Sequence, residues 1–168
     1  MAEEIFDICD EQDRVIGQAP RSEVHAQGLL HRAVHIWVIR SNGELLVQIR
    51  TATKDQYPNC ITSAASGHVD AGEDYDVAAK RELWEELQLR GPLERIVKLP
   101  AGPETALEHS MLYVLRTDET PVPDPHEIAE LRTLGTPELA RMIEETPELF
   151  TPPFRSLLKW WIQNRATP

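Results

Sequence analysis

The pattern of apolar and polar positions divides the chain into short extended pieces and a few helices. Glu4 to Cys9 and Arg14 to Gln18 are apolar-rich pieces on either side of Asp10-Glu11-Gln12-Asp13, which reads as a hairpin turn. Arg21 to Ala26 suits a short helix. Ala33 to Ile39 is rich in β-branched and aromatic residues, and Asn42-Gly43 before Leu45-Leu46-Val47-Gln48-Ile49 predicts a hairpin with a type I′ turn. A polar loop over Thr51 to Asn59 leads to an extended run from Ile61 to Ser66. Further strands are expected over Leu93 to Leu99, His109 to Arg116 and Glu127 to Leu134, with Pro121 to Pro125 as a stiff connector. Thr136-Pro137-Glu138 starts one C-terminal helix, and Phe154 to Asn164 forms another. This order is not regularly βαβ, so it predicts a mixed sheet layered with helices, an α+β fold.

The helix expected from about Asp74 to Leu87 carries the chemistry. Val77, Trp84 and Leu87 recur at helical spacing and should face the sheet. At about 100° per residue, Glu82, Glu85 and Glu86 fall within an arc of roughly 100°, turned away from much of the sheet. Three carboxylates so close repel one another unless a hard divalent cation sits among them, and Mg²⁺ prefers such oxygen ligands together with a substrate phosphate. The same ridge, if pinned by lysine and arginine partners, would lose that reading.

The spacing resembles the Nudix box, G-x5-E-x7-R-E-U-x-E-E-x-G-U with U aliphatic, at Gly67, Glu73, Arg81, Glu82, Leu83, Glu85, Glu86 and Leu89. One position departs. Where the family has its last Gly this chain has Gln88, which in the left-handed conformation costs roughly 1 kcal/mol more than Gly, with Gly91-Pro92 as a substitute stop. The resemblance implies an α/β/α sandwich and hydrolysis of a phosphoanhydride bond in a nucleoside diphosphate or nucleoside-diphosphate-X substrate. It also implies Mg²⁺ (or Mn²⁺) held by Glu82, Glu85, Glu86 and the carbonyl of Gly67. Glu82 is ligand or general base. Arg81 points away from the metal side, paired with Glu73. A further Glu from outside the box is expected at Glu108, with Glu104 as fallback.

Size and charge narrow the partners. The 168 residues suit a single domain, divided as an N-terminal hairpin and short helix over 1–30, a core over 31–135 and C-terminal helices over 136–168. A net charge of −11 without a basic cluster argues against nucleic-acid polymers, and the resemblance implies a small-molecule diphosphate substrate. Cys9 and Cys60 match no disulfide framework or metal spacing and read as buried small side chains. With no signal peptide and no run of the roughly 20 apolar residues a membrane span needs, the cytoplasm is the expected compartment. Phe150, Phe154, Trp160 and Trp161 read as core packing or a homodimer contact.

Outside the box, Phe6 to Asp13, Glu23 to His31 and Thr146 to Phe154 resemble isopentenyl-diphosphate isomerase, itself of Nudix fold. By that resemblance His25, His31, His68 and Glu108 stand near the places of its extra metal site. The isomerase's catalytic Cys, Glu and Trp fall here at Ser66, Ser110 and Pro153. Serine cannot readily replace a thiol in proton transfer, so the chain reads as a hydrolase on an isomerase-like frame. Isomerase activity and a non-catalytic diphosphate-binding module are the alternatives. His35 and His126 read as packing or surface residues, and His109 carries no signal.

Overall fold

The computed structural model describes residues 2–165. The N-terminal strands β1 (Ile5–Cys9) and β2 (Val15–Pro20) pair antiparallel as a separate hairpin. Asp10 fixes its turn, accepting from the backbone N–H groups of Gln12 and Arg14 at 2.9 Å. Asp13 closes it in the left-handed region, φ 63°, which short polar side chains tolerate. Helix α1 (Arg21–Gln27) follows and ends on Gly28 at φ 63°.

The main sheet is mixed, as the order of elements predicts. It comprises β3 (His31–Ile39), β4 (Leu45–Arg50), β5 (Ile61–Ser63), β6 (Ala65–His68), β7 (Glu94–Leu99), β8 (Glu108–Arg116) and β9 (Ile128–Leu134). Central β3 runs parallel to β8 along its length. On its other side it is antiparallel to β6 over Ala33 to Ile36 and to β4 only at Val38 and Ile39. Its two partners there diverge, and the run from Ile61 to His68 bridges them by pairing first with β4 and then with β3.

Helix α2 (Tyr75–Leu87) covers one face, and α3 (Thr136–Glu145) and α4 (Pro152–Arg165) cover the other. Side chains alternate along a strand. Val34, Ile36 and Val38 therefore pack with Ala78, Ala79, Leu83 and Leu87 of α2. Trp37 and Ile39 meet Leu139, Phe154, Leu157 and Leu158 from the opposite layer. The result is the expected α/β/α sandwich, with β3 buried on both faces.

Four local expectations are corrected. The Asn42-Gly43 turn is not type I′, which needs positive φ at both central residues. Here Gly43 alone has it, φ 85°, and the Gly43 N–H donates to Arg40 O at 2.9 Å. On α2, Val77 and Trp84 are 52% and 42% exposed rather than facing the sheet. Ala78 and Ala79 take the inner face because small side chains let the helix lie close, and Trp84 instead lies under the Arg90 guanidinium, 4.0 Å from the ring centroid. Cys9 is buried as expected, but Cys60 is only half-buried.

The fourth correction concerns the helix end. Gln88 itself takes the left-handed cap, φ 52° and ψ 33°, with its N–H on Trp84 O, so Gly91-Pro92 is not the stop. Gln88→Gly should raise stability by about 0.5–1 kcal/mol. A thermal melt of the variant checks this, and a lowered Tm would contradict the strain argument.

Candidate active site

Asp74 caps α2, accepting from the Val77 N–H at 2.8 Å, and so fixes where the glutamates emerge. They do not share one environment. Glu85 is exposed and Glu82 half-buried, whereas Glu86 is 4% exposed, contrary to a ridge turned away from the sheet. Glu86 points at the divergence of β4 and β6. Gln48 donates to its Oε2 at 2.5 Å and the Ser66 N–H donates to its Oε1 at 3.2 Å. Gln48 is held in turn by a second donation to Ala64 O at 3.0 Å. Each Glu86 oxygen thus has one donor and keeps a lone pair free.

Burial raises the Glu86 pKa to about 7, although Gln48 and Ser66 oppose the shift. Glu82 is raised as well, by burial first and by the Glu86 charge second. Its carboxylate lies against Gly67, where an added Cβ would stand 2.2 Å from the Glu82 carboxyl carbon. That contact explains the glycine at the head of the motif.

Arg81 corrects one expectation. It does clamp Glu73, with bonds of 2.8 and 2.9 Å, and it reaches His68 O at 3.1 Å. It does not point away from the glutamates, since it also touches Glu82 at 2.7 Å and Glu85 at 3.3 Å. The acidic ridge therefore has one arginine partner on two of its three carboxylates, while Glu86 faces an amide and a backbone N–H.

A second cluster lies in the same cavity of about 560 Å³. His25, His31 and His68 offer ring nitrogens within 4.8 Å of one another. They arrive from α1, β3 and β6, and the sheet register sets His31 beside Glu108. Phe6 of the hairpin stacks on His31 with centroids 5.8 Å apart and lies 4.6 Å from His68. Glu108 Oε1 is 3.1 Å from His68 Nε2 and 3.8 Å from His31 Nε2, the latter too long for a hydrogen bond. Burial would raise the Glu108 pKa, but the two imidazoles outweigh it and hold the carboxyl well below the usual range. Burial and then the His68 charge lower His25 to about 4.

His31 is the informative member. Its Nδ1 lies 2.8 Å from Leu29 O and so carries a proton, which leaves Nε2 as the lone pair whenever the ring is neutral. Among the described residues that nitrogen is buried without a hydrogen-bond partner. Metal-binding histidines characteristically give their other N–H to a carbonyl in this way.

The cavity thus gathers Gly67, Arg81, Glu82, Glu85, Glu86, Glu108 and the three histidines. Glu73 stands behind Arg81, outside the lining, and the fallback Glu104 lies in a different groove between α3 and α4. Arg50, Lys54 and Arg21 are among the lining residues not singled out from the sequence, and His35, expected as a packing or surface residue, lines the cavity as well. Gln48 was likewise missed. Its signal was present: one amide interrupts the apolar run Leu45-Leu46-Val47-Gln48-Ile49 on a strand buried on both sides.

An acidic helix, a glycine-bearing strand beneath it and an arginine–glutamate clamp define a Nudix-fold protein. A family profile, NUDIX domain, matches residues 29–160, and the chain belongs to that family. An uncharacterized Nudix hydrolase of Streptomyces coelicolor is 49% identical over 54% of this chain and 50% of its own length, so the chain spans about half of that relative. The isopentenyl-diphosphate Delta-isomerase of Nocardia farcinica is 33% identical over 87% of both chains. Among solved structures, DR0079 from Deinococcus radiodurans superposes with a TM-score of 0.81 at 26% identity, covering 94% of this chain and 98% of that one. No helix among the described residues is long and apolar enough to cross a membrane.

Proposed function

We propose that the chain hydrolyses a phosphoanhydride bond in a nucleoside diphosphate, or in a nucleoside diphosphate joined to a second group. Glu82, Glu85, Glu86 and the carbonyl of Gly67 would hold a divalent cation, Mg²⁺ or Mn²⁺. The observation that carries the reading is Glu86: a buried carboxyl, costly to ionise alone, with a free lone pair on each oxygen and a charge that raises the neighbouring Glu82. An all-oxygen, strongly acidic donor set suits a hard cation. When bound, the ion would neutralise charge on the diphosphate and make an attacking water more acidic.

The protein groups divide the remaining work. Arg81, tied to Glu73, positions Glu82 and would release it in part to a competing cation. Glu108, kept ionised and oriented by His68, or Glu82 would take the proton from water. Arg50 and Lys54 line the cavity as cationic groups for a phosphate. The three histidines with Glu108 form a nitrogen-rich set suited to a second, softer ion, a reading supported by the unpartnered Nε2 of His31. The substrate is a small molecule, and residues 1–168 act as one unit in this reading.

Turnover of a diphosphate panel with Mg²⁺ or Mn²⁺ tests the proposal, with Glu86→Gln as control. No compound turned over above that control would sink it. Gly67→Ala gives a sharper check. The added methyl meets the flexible end of Glu82, so the fold should survive while the carboxylate is displaced and Mn²⁺ affinity falls about tenfold by paramagnetic resonance titration. Unchanged affinity would remove Glu82 from the ion's ligands.

Isomerase activity is the second reading, supported by the similarity to isomerases at 32–33% identity over 87–94% of this chain. Against it, Ser66, Ser110 and Pro153 stand at the catalytic positions, and the Ser110 hydroxyl is spent on Glu108 O at 3.3 Å. Absence of deuterium exchange into isopentenyl diphosphate, with metals supplied, would close it. A diphosphate-binding module without turnover is the outcome left if ligands bind and nothing is hydrolysed.

A further inference from the structure

His35 lies on the face of β3 that also carries His31, Ala33 and Trp37, and its ring lines the cavity. Its Nδ1 is 2.9 Å from Ser63 Oγ, and Trp37 Nε1 donates to the same oxygen at 3.1 Å. An indole nitrogen can only donate. Ser63 is fully buried, and His35 Nδ1 is the one acceptor its hydroxyl proton has among its described hydrogen bonds. One arrangement satisfies all three groups. Trp37 donates to Ser63, Ser63 donates to His35 Nδ1, and the imidazole proton resides on Nε2.

Burial lowers the His35 pKa to about 4, so the ring is neutral near pH 7. Its Nε2–H has no acceptor among the described residues, and with Nδ1 turned to Ser63 it is the polar atom left for the cavity. His35 shares the sheet face opposite α2 with Trp37, and its link to the glutamates is the cavity both line and the strand beside it. His35 pairs with Ser66, the residue whose N–H holds Glu86.

We infer that the Nε2–H of His35 is a substrate-binding donor that engages an oxygen acceptor of the bound diphosphate ester. This rests on the diphosphate reading above and adds a contact to it. The acceptor chemistry is oxygen with a free lone pair, on the phosphoryl group or on the organic part attached to it. A neutral donor differs in kind from Arg50 and Lys54, because it adds no charge and rejects a ligand that presents a donor at that point.

The tautomer can be read directly. Long-range proton–nitrogen spectra of the ligand-free protein should give His35 the signature of a protonated Nε2 and a bare Nδ1, and the reverse signature would overturn the inference. Calorimetry then compares a nucleoside methylene-diphosphonate with methylenediphosphonate alone, each with Mg²⁺. His35→Phe should weaken binding by about tenfold, and His35→Gln, whose amide nitrogen reaches the Nε2 position, should recover most of it. Mn²⁺ affinity should stay at the wild-type value in both.

Weakening on both ligands supports a phosphoryl acceptor, and weakening on the nucleoside compound alone supports one on the organic part. Equal affinity of wild type and His35→Phe for both compounds would overturn the inference. A wild-type protein that binds the analogues but hydrolyses nothing would defeat the hydrolase reading and leave this comparison intact. One that binds neither would defeat both.

Discussion

Glu86→Gln should lower kcat/KM with any accepted diphosphate by about a thousandfold, roughly 4 kcal/mol of transition-state stabilisation. The same substitution should raise the stability of the cation-free protein at pH 8. Both effects come from one fact, that a carboxylate is kept where burial makes its charge expensive. The sign follows from proton linkage. With the folded-state pKa at about 7 and an unfolded value near 4.5, the native state holds a proton that the unfolded chain has released. Stability therefore falls as pH rises from about 4.5 to about 7, and the penalty is full above that.

Glutamine has no such penalty, so the two proteins should diverge with increasing pH. The gain is reduced by one mismatch, because a glutamine amide sets its NH₂ against either the Gln48 amide or the Ser66 N–H. A net increase of about 1–2 kcal/mol at pH 8, fading by pH 5, is the expected result of urea melts in EDTA. A variant that loses both activity and stability at pH 8 would mean that Glu86 holds the fold together rather than serving the site.

Much of this site could be read from residue order, for a physical reason. Helix periodicity alone puts Glu82, Glu85 and Glu86 on neighbouring turns, and only the carboxylate chemistry makes that arrangement notable. The sandwich was equally legible, because β3 and β4 are long apolar runs, α2 opens on the Asp74 cap and α3 has Pro137 in its first turn. Burial on a helix was not. Val77 and Trp84 looked like core by hydrophobicity, but the sheet's close approach selected Ala78 and Ala79, and Glu86 took an inner position through Gln48. No one-dimensional pattern reports that β3 changes partner from β4 to β6, which creates the place Glu86 fills. The Arg81 contacts were half legible: its bond to Glu73 was implied by the resemblance to the Nudix box, whereas its reach to Glu82 and Glu85 depends on the turn of its side chain. His35 had a signal in its parity with His31, but only the bonds through Ser63 give that parity a direction.

Asp13→Asn should destabilise the protein by about 2 kcal/mol at pH 7 and by almost nothing near pH 2. The Asp13 carboxylate is 6% exposed and accepts from Arg32 Nε at 2.7 Å, Lys98 Nζ at 2.6 Å and Tyr75 OH at 2.8 Å, while its carbonyl takes Arg32 Nη2 at 2.7 Å. Three partners from β3, β7 and α2 thus fasten the N-terminal hairpin to the main body. Burial would raise the Asp13 pKa, but the hydrogen bonds from Lys98, Arg32 and Tyr75 outweigh it and hold the group at about 2. A depressed carboxyl stabilises the fold above its unfolded pKa of about 3.8 and loses that contribution as pH falls toward 2. Asparagine keeps the left-handed turn that φ 63° requires, so the substitution removes charge without adding backbone strain. The consequence reaches the cavity, since the hairpin carries Phe6 against His31 and His68 and leads into the helix that bears His25. Hydrogen exchange in the variant should accelerate over β1 and β2 before it does so in β3 or β8. Denaturant melts of both proteins between pH 3 and 7 check the energetic half. Parallel stability curves across that range would show that Asp13 contributes no charge-dependent anchoring.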